Sequence, residues 1–218
     1  MKLVQRAISP AILATLAASL SLFTASAQAS SLAVVVQDAA GKPLADAVVY
    51  AEQDGVALPK LSKTAVIEQR GLKFLPLVSV VQTGTAISFP NNDKVRHHIY
   101  SFSPAKKFDQ KLYAGVAAST QVFDKPGTVV LGCNIHDRMI AYVKVVDTPY
   151  FARTDADGVA KFELPAGKYK LNAWHYNQAA NPASAAEQTV TVKAGDAATG
   201  AAYKLAVKAA ADGEGSGY

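Results

Sequence analysis

A short loop with the chain's only cysteine constrains the fold more than any other stretch. It carries Cys133, His136 and Met139 at three-residue intervals. The apolar runs Gly127–Leu131 and Ile140–Val146 lie on either side of it and predict strands. The loop is therefore expected to present a thiol, an imidazole and a thioether from one end of a sheet. Because these soft and borderline donors suit copper, the pattern predicts a metal site in a β-sheet protein.

Strand-like runs separated by turn residues extend along most of the chain. Clusters of Asp, Gly and Pro interrupt them at Asp38–Pro43, Asp124–Gly127 and Thr154–Gly158. Many short strands with regular turn signals are typical of β-sandwiches, so we predict an all-β fold. The predicted strands are Leu32–Gln37, Ala47–Ala51, Lys73–Val81, Thr85–Phe89, His98–Phe102, Gln121–Phe123, Gly127–Leu131, Ile140–Val146, Val159–Leu164, Tyr169–His175, Gln188–Val192 and Ala201–Val207.

Two expectations concern the middle of the chain. The runs on either side of Thr83 and Gly84 are expected to pair with each other as neighbouring strands. The segment Ser103–Ala118 lacks strong alternation, so we predict a loop there, with or without a helical turn.

The ends of the chain indicate export. Lys2 and Arg6 precede the apolar run Ala11–Phe23, and Ala27 and Ala29 supply a small-residue cleavage pattern. Residues 1–29 are therefore predicted to be a signal peptide, leaving an exported, periplasmic mature chain without a membrane span. Residues 209–218, rich in Gly, Ala and Ser, are predicted to be a flexible tail.

Charge and cysteine content exclude some classes of protein. The formal net charge is +5 and no dense run of Lys or Arg occurs, so nucleic-acid binding is not expected. We find no catalytic Ser/His/Asp set, phosphate-binding loop or paired carboxylates, so enzyme activity is not expected either. A lone exported thiol such as Cys133 is best explained by a metal, the alternative being an inert buried cysteine.

Two separated motifs resemble the cupredoxin (blue copper) family. The first is Asn91-Asn92-Asp93 followed by His97, and the second is Cys133-x-x-His136-x-x-Met139. The resemblance implies a mononuclear, type 1-like copper site with His97, Cys133 and His136 as trigonal ligands and Met139 as the axial one. It also implies one-electron transfer with a redox partner protein. Plastocyanin-like loops have more residues before the methionine, so a longer axial contact or another ligand is an alternative.

Other interpretations of the site stay open. Adjacent strand residues point to opposite faces, so His98 is expected to face away from the metal that His97 holds. Cysteine and two histidines could also bind zinc, although a methionine adds nothing for zinc. The alternative functions are copper binding for delivery or storage, and a metal-free scaffold for binding. His175, beside Trp174, is expected to be structural.

Wider stretches carry two more resemblances. The segments Phe89–Asn91, His97–Phe102, Gly132–Asp137 and Asp147–Phe151 resemble proteins catalogued as methylamine utilization proteins, which implies a role near amine oxidation. Residues 34–49 resemble the first hairpin of the carboxypeptidase regulatory-like β-sandwich, and residues 154–174 resemble its later strands. We therefore predict a cupredoxin-like Greek-key sandwich, residues 61–147, inserted into a small carboxypeptidase regulatory-like (transthyretin-like) sandwich formed by 30–60 and 148–208. Two sandwiches in tandem are the alternative arrangement.

Overall fold

The computed structural model describes residues 29–56, 59–60, 63–115, 120–179, 187–195 and 199–208. The predicted signal peptide, apart from Ala29, and the predicted tail 209–218 lie outside these residues. Within the described ranges, no helix is long and apolar enough to cross a membrane.

The described residues form strands and turns, which confirms the all-β prediction. The strands run in chain order as β1 Ser30–Asp38, β2 Val48–Glu52, β3 Thr64–Val66, β4 Glu68–Gln69, β5 Phe74–Leu75, β6 Val78–Gln82, β7 Thr85–Ser88, β8 His97–Ser103, β9 Lys106–Tyr113, β10 Gln121–Phe123, β11 Gly127–Gly132, β12 Ile140–Val146, β13 Phe151–Arg153, β14 Val159–Leu164, β15 Gly167–Trp174, β16 Gln188–Val192 and β17 Thr199–Leu205.

The first hydrophobic core lies between a three-stranded and a four-stranded sheet. Their strand orders are β14-β1-β17 and β13-β2-β15-β16. Alternate residues of β1 (Leu32, Val34 and Val36) are fully buried, as expected for strands with one face against a core. From β2 and β15, Val49 and Leu171 pack into the same cluster. Residues from both the beginning and the end of the chain therefore build this core.

The second core is built from residues 67–145 alone. A mixed five-stranded sheet, β6-β12-β11-β8-β9, supplies one side, and the three-stranded sheet β10-β7-β3 supplies the other. Strands β4 and β5 form a separate short pair. The cluster includes Phe74, Phe89, Ile99, Phe123, Leu131, Cys133 and Met139.

Two predicted strand pairings are wrong. Strand β1 pairs with β14 and β17, whereas β2 pairs with β13 and β15, so β1 and β2 do not form the predicted hairpin, although Gln37 and Pro43 make one antiparallel bridge across the turn that follows β1. Strands β6 and β7 also belong to different sheets. The Thr83 amide donates to the Val146 carbonyl of one sheet, and the Gly84 amide donates to the Phe123 carbonyl of the other. Gly84 has φ of +94°, a conformation that glycine allows and that redirects the chain between sheets.

The predicted loop after Ser103 is also wrong, because β9 pairs with β8 over Lys106–Tyr113. This strand lies at the edge of its sheet and leaves Lys107, Asp109 and Lys111 exposed. Charged side chains on an edge strand discourage pairing with another chain. They also hide the apolar alternation that identifies an interior strand.

The chain leaves the first pair of sheets after β2 and returns to it at β13, which pairs with β2. The Thr148 hydroxyl donates to the Ala51 carbonyl at 2.6 Å, across 97 positions of sequence. The side-chain Nε2 of the buried Gln82 donates to the Pro59 carbonyl at 2.9 Å and to the Asp147 carbonyl at 3.4 Å. Hydrogen bonds thus hold the segment that leaves the first pair of sheets next to the segment that returns to it.

Candidate metal centre

The cysteine loop joins β11 to β12, as predicted. Cys133 follows the last residue of β11 and is 3% exposed. The Met139 amide donates to the His136 carbonyl at 2.9 Å, which closes the loop immediately before β12. His136 is half-buried, whereas its neighbour Ile135 is exposed. The loop therefore holds the thiol inside the core and the imidazole near the surface.

The structure brings His97 to this loop from β8. His97 is the first residue of that strand and is fully buried. Its Nδ1 lies 3.9 Å from the Cys133 Sγ, and the His136 Nδ1 lies 3.7 Å from the same sulfur. The two imidazole rings are 5.0 Å apart, centroid to centroid. One donor atom from each of the three residues lies within 4.8 Å of the others, so the three residues could bind one ion.

The sulfur–nitrogen distances fit a metal ion at the centre of the trio. With metal–sulfur and metal–nitrogen bonds of about 2.3 and 2.0 Å, a trigonal arrangement separates sulfur from nitrogen by roughly 3.7 Å. The observed 3.7 and 3.9 Å are close to that separation. One thiol and two imidazoles are also the equatorial donor set of blue-copper sites. The residues present therefore fit a copper ion.

Asp93 orients His97. Its Oδ2 lies 2.8 Å from the His97 Nε2, so the other ring nitrogen, Nδ1, faces Cys133. Asp93 also accepts from the Gly71 and Leu72 amides at 2.6 and 3.0 Å. Burial would raise the pKa of Asp93, but the hydrogen bonds from His97 and these two amides outweigh it and lower that pKa. Such a carboxylate favours the tautomer with a proton on Nε2, which leaves Nδ1 free to bind a metal.

Asn91 shapes the loop that carries Asp93. The buried Asn91 side chain donates to the carbonyls of Val95 and Tyr113 at 2.8 and 3.0 Å. Its carbonyl oxygen accepts from the Asp93 amide at 3.0 Å. Asn91 is thus a turn residue, and the loop delivers Asp93 to the beginning of β8.

The sequence also singled out Met139, His98 and His175. Met139 is 1% exposed and belongs to the hydrophobic cluster that contains Cys133, and its role as axial ligand stays a prediction. His98 contacts Asp109 of β9, on the face opposite to His97. His175 is buried in the other unit, where its Nδ1 accepts from the Asn177 amide at 3.2 Å.

The sequence motif before His97 includes Asp93 but gave it no role, and Tyr113 was not singled out at all. An aspartate four residues before a ligand-type histidine is a signal that could have identified Asp93. Tyr113 pairs with His97 across β8 and β9, and its hydroxyl donates to the Phe89 carbonyl. Burial raises the pKa of Tyr113 to about 12, the hydrogen bond with Gln69 opposes this rise, and the Coulombic effect of Cys133 adds to it. Tyr113 had no sequence signal, because its strand was not predicted.

Several solved copper proteins are similar to part of this chain. A purple cupredoxin from Nitrosopumilus maritimus has 22% identity, covers 37% of this chain and 96% of its own, and has a TM-score of 0.33. A reduced amicyanin variant has 18% identity, coverage of 37% and 80%, and a TM-score of 0.35. A Cu-containing nitrite reductase from Thermus scotoductus has 23% identity, coverage of 52% and 28%, and a TM-score of 0.36. No protein-family model and no curated protein matches the chain. TM-scores below 0.5 do not support a functional conclusion, which must come from the geometry of the site itself.

Proposed function

We propose that this chain is a periplasmic mononuclear copper protein that transfers single electrons. The observation that carries the proposal is the spacing of the Cys133, His97 and His136 donor atoms around one point inside a β-sandwich. Residues 61–147 would form the cupredoxin-like unit, and 30–60 with 148–208 the carboxypeptidase regulatory-like unit. A bound copper ion would supply the one-electron couple. The redox partner would be a protein, and a link to amine oxidation rests on sequence resemblance alone.

The chain's own residues support such a role by holding the donors still. His97 is buried at the start of β8 and Cys133 directly after the end of the neighbouring strand β11, and Asp93 accepts a hydrogen bond from the far side of the His97 imidazole. A rigid ligand set changes little between two oxidation states, which favours fast electron transfer. The half-buried His136 is the ligand nearest to the surface and is the natural point of contact with a partner.

The visible spectrum and metal content of the purified protein test this proposal. With Cu(II) we expect one ion per chain and an intense thiolate-to-copper absorption band that disappears in Cys133→Ser. Met139→Leu should keep the band if the trigonal set suffices. A colourless Cu(II) complex, or one without a reversible redox couple, would reject electron transfer. Preferential, exchangeable Cu(I) binding would instead support copper delivery, and purification without any metal would support a scaffold.

A further inference from the structure

A cleft of about 510 Å³ separates the outer face of the five-stranded sheet from strands β2 and β15. Its volume lies within the range of about 300–1,000 Å³ typical of small-molecule sites, which often form where two units meet. Residues from both units line it: Tyr142 and Lys144 from β12, and Tyr50, Asn172 and Trp174 from the other side. None of the lining residues belongs to the candidate metal centre.

Among the described residues that line the cleft, Lys144 carries the only charged side chain apart from the titratable His175. Its Nζ lies 5.7 Å from the centre of the Tyr50 ring and 5.6 Å from that of Trp174. No carboxylate oxygen of the described residues lies within 4.0 Å of this ammonium. Burial lowers the pKa of Lys144. A half-buried ammonium without a carboxylate partner favours an anionic ligand.

The walls of the cleft are aromatic. The Tyr142 and Tyr176 rings stack with centroids 4.9 Å apart, and Trp174 lies 6.5 Å from Tyr142 at an angle of 59°. The side chains of Asn172 and Gln178 add amide groups to the lining. Ring faces of this kind pack against a planar apolar group.

Glu52 is the carboxylate that acts on Lys144 at longer range. It does not line the cleft, and it accepts from the Asn172 Nδ2 at 3.4 Å. Burial raises the pKa of Glu52, and the neighbouring Asp147 and Glu187 raise it further. Glu52 should therefore weaken the binding of an anionic ligand by repulsion. It does not itself occupy the position beside the Lys144 ammonium that such a ligand would take.

We propose that this cleft binds a small organic carboxylate with a planar apolar group. The carboxylate meets the Lys144 ammonium, and the planar group packs against Tyr142, Trp174 and Tyr176. A cationic ligand would meet Lys144 with like charge, and an uncharged one would leave the ammonium without an anion. The inference does not depend on copper.

The test uses phenylacetate as the probe and Trp174, the only tryptophan of the chain, as the fluorescent reporter. We expect saturable binding that is much weaker for phenylacetamide, which lacks the charge, and for acetate, which lacks the ring. Lys144→Met should weaken phenylacetate binding by about 10- to 100-fold, because it removes a charge-assisted hydrogen bond. Glu52→Gln should tighten binding several-fold.

A matched variant, Lys161→Met, removes an exposed lysine of β14 outside the cleft and should bind phenylacetate as the wild type does. Amide chemical shifts in NMR spectra give a second readout, which keeps the test valid if Lys144→Met changes the fluorescence by itself. Absence of saturable binding, equal binding of phenylacetate and phenylacetamide, or full affinity in Lys144→Met would overturn the proposal.

Discussion

Replacing Asp93 with alanine should weaken copper binding, although Asp93 is not itself a proposed ligand. If His97 binds the ion through Nδ1, its Nε2 must carry the proton and needs an acceptor. Asp93 is that acceptor at 2.8 Å, and His97 is fully buried, so water cannot readily replace it. A buried donor left without a partner costs about 1–3 kcal/mol. In the metal-free protein the ring can adopt its other tautomer, so most of this cost falls on the bound state.

We therefore expect Asp93→Ala to lower copper affinity by about 10- to 100-fold, the usual effect of removing a partner of a metal-binding histidine. Competition with a chelator of known copper affinity measures the change. Asp93→Asn should lose less, since an amide oxygen can still accept from His97. In this variant an NH₂ group takes the place of the oxygen that accepts from the Gly71 amide, so some loss of copper affinity should remain.

The matched control is Asp109→Ala. Asp109 contacts His98, the histidine next to His97 in the chain, but on the opposite face of β8. This variant removes a carboxylate–imidazole contact of the same kind and should leave copper affinity unchanged. Wild-type affinity in Asp93→Ala, or an equal loss in Asp109→Ala, would refute the role assigned to Asp93.

Two further predictions concern stability. Gly158→Ala should destabilise the fold by about 2–4 kcal/mol, since Gly158 has φ of +72° and an added Cβ would lie 2.5 Å from the Val36 carbonyl oxygen. Gly41→Ala, with φ of +86° but open space around it, should cost only about 1–2 kcal/mol, and similar urea-unfolding free energies for both variants would contradict the steric reasoning. Burial lowers the pKa of His175 below its usual 6.5, so the unfolded chain binds a proton that the folded chain resists, and this contribution to stability is lost as the pH falls below about 6.5. His175→Gln should flatten that part of the stability–pH curve, and an unchanged slope would show that other groups cause it.

Local sequence patterns predicted most strands and the composition of the site, because strand alternation and ligand spacing are local properties. The loop between β11 and β12 illustrates this: Cys133, His136 and both flanking strands follow from nine consecutive residues and their neighbours. The placement of His97 beside Cys133 required the family resemblance, since 36 positions separate the two residues.

Strand pairing could not be obtained in this way. The sequence predicted a hairpin of β1 and β2 because the turn-forming segment Asp38–Pro43 lies between them. Each of these strands instead pairs with strands that are distant in the chain. The edge strand β9 was hidden by its charged residues, and with it the position of Tyr113. Asp93 was visible in the sequence, but its role depends on the distant amides of Gly71 and Leu72.

The hydrogen bonds of Gln82 explain how a small sandwich can tolerate the long chain excursion between β2 and β13. For a flexible segment, lengthening a loop from a few residues to about a hundred costs only about 3 kcal/mol in closure entropy. Here Gln82 donates to both Pro59 and Asp147, so the folded excursion itself holds its two ends together and reduces even that cost. To the pair β2 and β13, the whole unit that contains the candidate metal centre is equivalent to the turn of a hairpin. Such a unit could be exchanged for a short turn, or for another domain with close ends, while the host sandwich keeps its strand register.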